Sequence, residues 1–236
     1  MTSYSGNPFV TVADAAAVDR AAFIRRTYLH LAGAILAFVG IEAVLLRSTL
    51  GVRMLDFMQG GRTSWLLILG GFMVVSWLAD KWARSEAGPG MQYLGLGLYT
   101  VAQAIIFLPL LTRAIYTPQY AGTVSMAGII TGLLFAGLTS TAFITRKDFS
   151  FMRSILVIGS FVALGVIICS AIFGFNLGLL FSGAMVLFAG GSILYTTSNI
   201  IHHYRPNQHV AASLALFSGV MLLLWYVLQI LMRSRR

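Results

Sequence analysis

Charge is scarce in this sequence: 10% of its 236 residues are Asp, Glu, Lys or Arg, against roughly 25% in a soluble domain. Seven acids and sixteen bases cannot clothe a soluble surface at this length. The acids are Asp14, Asp19, Glu42, Asp56, Asp80, Glu86 and Asp148, and most fall between long apolar runs. Cysteine occurs once, as Cys169, which excludes an internal disulfide and belongs to no Cys/His metal pattern. Catalytic signatures are lacking too. There is no Walker loop, no His-Glu-x-x-His and no pair of intramembrane aspartates. Ser182-Gly183 has no nucleophile elbow around it. These absences argue against an enzyme, and the sequence calls for no cofactor.

What is present is apolar: 58% of the residues are hydrophobic. A bilayer core about 30 Å thick takes roughly 20 such residues per helix. The runs 28–47, 65–82, 91–111, 121–144, 154–173, 178–200 and 210–232 meet that length. Barrel strands would alternate apolar and polar residues, and these runs do not. The expected fold is therefore all-α, a polytopic membrane bundle of about seven transmembrane helices. The first run is too long for a signal-peptide core and has no A-x-A site after it, so it reads as a span. Residues 1–19 are expected to form a mobile N-terminal tail and 20–236 the membrane domain. The Arg233–Arg236 tail adds cations to the side opposite the N-terminus.

The net charge of +9 comes from bases in short segments between the spans, a placement suited to anionic headgroups rather than nucleic acid. Lys and Arg divide nine to seven between the N-terminal side and the opposite side. Arg25 and Arg26 directly precede the first span, which favours a cytoplasmic N-terminus. Gly128-x-x-x-Gly132 with Gly137, and Gly183 with Gly190 and Gly191, mark small-residue faces for close helix packing. Pro109 is placed to kink or close the third span.

Polar groups inside the runs are candidates for function because they are costly there. Glu42 is the one acid well inside a run, and two readings stand: pairing with Arg47 near the interface, or a proton or cation site facing the interior. His202, His203 and His209 cluster between the last two spans, where they read as a solvated loop or as a pH sensor. Asp148 is placed to N-cap the fifth span.

Three segments carry a family likeness: Arg26-Thr27-Tyr28-Leu29, the loop 145–152 with Arg146-Lys147-Asp148, and Ile193 to His202 with Thr-Ser-Asn-Ile-Ile-His. Together they resemble the Bax inhibitor-1 (TMBIM) family, nearest its bacterial YccA-like branch. The resemblance implies six helices around a central C-terminal one, in a bacterial inner membrane. It also implies either a pH-linked calcium or cation leak, or a stress-related regulator of partners such as an ATP-dependent membrane protease. In leak members two acids gate the pore, and the matching positions here hold Thr196 and Gly219. Neither can titrate or supply a carboxylate to calcium. Ser218 and Thr196 could still line a polar path, with Glu42 as the remaining charge, and Arg146, Lys147 and Asp148 could serve gating or docking.

Overall fold

The computed structural model describes residues 11–59, 61–86 and 88–235. Eight α-helices run in order: α1 Ala17–Leu45, α2 Leu50–Gln59, α3 Arg62–Ala83, α4 Pro89–Tyr116, α5 Thr123–Thr145, α6 Met152–Phe173, α7 Gly178–His202 and α8 His209–Ser234. All but α2 are long and apolar enough to cross a membrane, so the seven expected spans are all present. In lipid no water satisfies the backbone, and continuous helices are the economical answer for each run. Most ends fall outside the expected limits because the helices continue into the interface. Pro109 neither stops nor closes α4, which runs on to Tyr116.

The helix α8 packs against α1, α3, α4, α5 and α7, and with α4 it is the most buried of the spans. Aromatic rings lock this centre: Phe38 of α1 meets Phe107 at 5.3 Å and Phe217 at 6.3 Å, and Phe107 meets Trp225 at 5.0 Å. The outward faces present large apolar side chains such as Leu36, Leu67, Phe161, Leu180 and Leu187. That pattern suits a bilayer as solvent rather than water.

Small residues set two close approaches. A Cβ at Gly95 would lie 2.5 Å from the Ala79 carbonyl oxygen, so α4 meets α3 backbone to backbone. Gly191 of α7 similarly leaves room for the Met152 methyl, which a Cβ there would meet at 3.0 Å. The expectation for α5 is corrected: Gly128, Gly132 and Gly137 face outward, with nothing within 4 Å of an added Cβ. Its packed face carries Thr123, Ala127, Thr131 and Ala142 instead. The glycine spacing defined a face but not which way it turns.

At the end bearing residue 17, the chain ties itself together. The Val12 N–H donates to the Tyr204 carbonyl at 2.8 Å, and the Val12 side chain is buried. Arg20 donates to the carbonyls of Val12 and Ala13 at 3.1 and 2.6 Å. Of the expected tail, residues 1–10 lie outside the described residues, 11–16 are held by these bonds, and the helix has begun at Ala17. At the other end, Arg235 donates to the Ala121 carbonyl at 2.7 Å. There α2 lies against α3 and α4, with Gly51 over Thr112.

Candidate functional site

Between α3, α4, α6, α7 and α8 the helices leave a cavity of about 370 Å³. Most of its wall is aromatic or aliphatic, including Trp65, Phe72, Phe107, Phe181 and Trp225. The bulk of these rings holds the helices apart, and Trp65 stacks on Trp225 with centroids 6.0 Å apart. Into this wall α4 sets Tyr99 and Gln103, one turn apart, and α8 sets Ser218. The Tyr99 hydroxyl donates to Ser218 Oγ at 2.8 Å, and Gln103 Nε2 donates to the Tyr99 oxygen at 2.9 Å. Gln229 lines the same space further along α8. The lining therefore offers neutral hydroxyl and amide groups, and no carboxylate or imidazole belongs to it. Such groups can hydrogen-bond a small neutral guest or water. They do not supply the charged oxygens that calcium selects.

The expected gate positions do not converge on this cavity. Ser218 lines it, whereas Thr196, Gly219 and Glu42 are not among its lining residues. Gly219 faces Ile193 of α7, and a Cβ added there would sit 2.9 Å from Ile193 Cγ1. The space a gating acid would need is filled by that isoleucine. Thr196 is buried on α7. Glu42 is 4% exposed and its two carboxyl oxygens have no hydrogen-bond partner among the described residues. Pairing with Arg47 is thus not what the structure shows; the side chain is turned into the bundle.

The two longer family-like segments come together in space. Ser198 Oγ donates to the Lys147 carbonyl at 3.2 Å and accepts the Phe149 N–H at 3.0 Å, clasping the α5–α6 loop onto the end of α7. Asn199 prepares the next link, since its carbonyl accepts the N–H groups of His203 and Tyr204. The loop turns at Arg146, a non-glycine residue in the left-handed region with φ of 49°. Asp148 does not cap α6. Its Oδ1 accepts the Ser150 N–H at 2.9 Å, an Asx-type turn that ends before the helix starts. That N–H, with His203 nearby, holds the Asp148 carboxyl below its usual range.

The three loop histidines divide between two places. His203 Nε2 lies 3.8 Å from Asp148 Oδ2, and His202 Nδ1 donates to the Ser198 carbonyl at 3.0 Å. His209 instead stands at the start of α8 with its ring 5.0 Å from that of His30. Nearby, Arg84 pairs with Asp80 at 2.9 Å and interacts with Tyr204, whose hydroxyl is pushed up by burial while Arg84 opposes the shift. Arg205 lies 3.8 Å from Glu86. Among the described residues no three His, Cys, Asp or Glu gather as metal ligands would.

Sequence reasoning missed the Tyr99–Gln103–Ser218 chain, because Tyr99 and Ser218 are 119 positions apart. The i, i+4 spacing of Tyr99 and Gln103 was the one available signal.

Comparison with known proteins finds one matching family and several relatives. The family described as inhibitor of apoptosis-promoting Bax1 matches residues 20–236. A protein of Pseudomonas aeruginosa, named only as uncharacterized, is 35% identical over 123 residues, 52% of this chain and 55% of that one. The chain thus aligns with only about half the length of that relative. The Golgi anti-apoptotic protein of vaccinia virus is 26% identical over 96% of this chain and 91% of its own. Bax inhibitor 1 of Schizosaccharomyces pombe is 28% identical over 93% and 79%. No solved structure matches. With a seven-span bundle, the family's motifs clasped to one another, and a match over nearly the whole chain, this protein belongs to the Bax inhibitor-1 family.

Proposed function

We propose that this protein is a membrane-resident regulator that acts through a partner and passes no calcium of its own. The observation carrying this reading is the packing of Ile193 against Gly219, beside a cavity lined only by neutral groups. A calcium path needs several oxygen ligands, with carboxylates among them, and no carboxylate is among the residues lining the cavity. The functional surface is then the end where the α5–α6 loop, the segment 11–16 and the turn after α7 are tied together. Arg146 and Lys147 are exposed there, beside Asp148. Bases at such a face suit the cytoplasmic side of a bacterial inner membrane. An ATP-dependent membrane protease is the partner that the family likeness suggests.

Two measurements test this. Liposomes carrying the purified chain and an internal calcium indicator are expected to stay silent at pH 6 and at pH 8. Co-reconstitution with an ATP-dependent membrane protease is expected to slow degradation of a membrane substrate, and Arg146→Ala/Lys147→Ala to restore it. Calcium entry through the native chain overturns the reading, and unaltered proteolysis removes the named partner.

A cation leak with a different gate is the second reading, favoured by the buried and unpartnered Glu42. It requires flux in the native chain that Glu42→Gln abolishes.

A further inference from the structure

A second hollow lies on the outside of the bundle, between α1 and α4. It is a groove of about 550 Å³, open to the side and mostly apolar. It exists because small residues leave the space between the helices unfilled: Gly33, Ala34 and Ala37 on α1, and Gly97 on α4. A Cβ at Gly33 or Gly97 would meet nothing within 4 Å, so neither glycine is needed to let the helices touch. The one hydroxyl in the floor, Thr100, is already committed to the Leu96 carbonyl at 2.8 Å. The groove therefore asks for an apolar occupant. From His30 to Ile41 it follows α1 for about 16 Å, using a rise of about 1.5 Å per residue. That is about half of a hydrocarbon core roughly 30 Å thick, the depth of one leaflet.

Its interfacial mouth has a different chemistry. The His30 Nδ1–H donates to the Arg26 carbonyl at 2.6 Å, which leaves Nε2 to accept from the Tyr93 hydroxyl at 3.0 Å. The His209 ring packs edge-on to His30. His209 Nδ1 is buried without a partner. None of Arg26, His30 or His209 forms an ion pair with a carboxylate among the described residues. One fixed positive charge, Arg26, thus stands one turn beyond His30 at the top of an apolar slot one leaflet deep.

We propose that the α1–α4 groove is a binding site for one anionic phospholipid. An acyl chain lies along Gly33, Ala37 and Gly97, and the headgroup phosphate sits at the His30 end of the groove, beside Arg26. Charge complementarity at the mouth selects an anionic headgroup over a zwitterionic one. The length and apolarity of the slot select a lipid over a soluble anion. The site is separate from the central cavity and stands whether or not the chain conducts.

The test uses the full chain, reconstituted in vesicles of equimolar phosphatidylglycerol and phosphatidylcholine and released for native mass spectrometry. One retained phosphatidylglycerol is expected per chain, in excess over phosphatidylcholine. Arg26→Gln is expected to cut that excess about fivefold, as for one juxtamembrane cation. Gly97→Leu builds outward from a position whose Cβ meets nothing within 4 Å, and is expected to remove the retained lipid while melting temperature stays unchanged. Excess glycerol 3-phosphate is expected to displace nothing. Equal retention of both lipids, or an unchanged adduct in Gly97→Leu, overturns the proposal. Displacement by glycerol 3-phosphate overturns it in favour of a soluble anion.

Discussion

Gly219 and Ile193 show how one missing side chain reshapes a bundle. The Ile193 side chain occupies the position toward which a residue-219 side chain would point. Gly219→Ala is expected to lower thermal stability by about 1 kcal/mol, the low end of overpacking. Gly219→Asp should cost far more, because it adds a carboxylate within the bundle to the same crowding. Melting of both variants in one detergent checks the order; an aspartate tolerated as well as alanine would mean that Ile193 moves freely. Glu42 makes the opposite case. Its buried, unpartnered oxygens are a standing expense, so Glu42→Met is expected to raise stability by about 1–3 kcal/mol. A loss of stability there would reveal a partner for the carboxyl. At this scale the sequence was legible in part. The lack of acids at 196 and 219 and the isolation of Glu42 could be read directly. What fills the space beside Gly219 depends on a residue 26 positions away in another helix, and no local pattern carries that.

Hydropathy finds an element when lipid leaves the backbone a single choice, and all seven spans were found in that way. It fails on α2, whose ten residues are too few to cross a bilayer. Gly51, Met54, Leu55 and Met58 nevertheless repeat at helical spacing, so its pattern was there to be read. Segment 11–16 was read as part of a tail because its composition is polar; it is held by Tyr204, at the far end of the chain. The loop after α5 owes its shape to Ser198 and to the Asx turn at Asp148. Ser198→Ala is expected to speed tryptic cleavage after Arg146 and Lys147, followed by gel analysis of protein in proteoliposomes. Unchanged cleavage would mean that the clasp does not hold the loop. The Asp148 carboxyl is held below its ordinary range by the Ser150 N–H and by His203. Its contribution to the loop is therefore full above the ordinary carboxylate range, about pH 4. It fades as pH falls through the lowered value. Asp148→Ala, which removes the acceptor, should accordingly loosen the loop at pH 7, with the same cleavage readout.

For the molecule as a whole, seven spans place the turn 203–208 and residue 234 on opposite sides of the bilayer. In a Cys169→Ser background, Asn207→Cys and Ser234→Cys are expected to react with a membrane-impermeant maleimide from opposite faces. Labelling of both from one face would mean that one of the helices fails to cross. The same pair shows which face is cytoplasmic when intact cells are compared with inverted vesicles.

The central helix is also the last of these seven spans to leave the ribosome. Until it arrives, the earlier spans lack the contacts that α8 makes with α1, α3, α4, α5 and α7. Tyr99 has no Ser218 to donate to, and the Thr27 carbonyl lacks the Ser213 hydroxyl that meets it at 2.8 Å. Insertion and closure are thus separate events, with a waiting stage between them in which polar groups face lipid or one another.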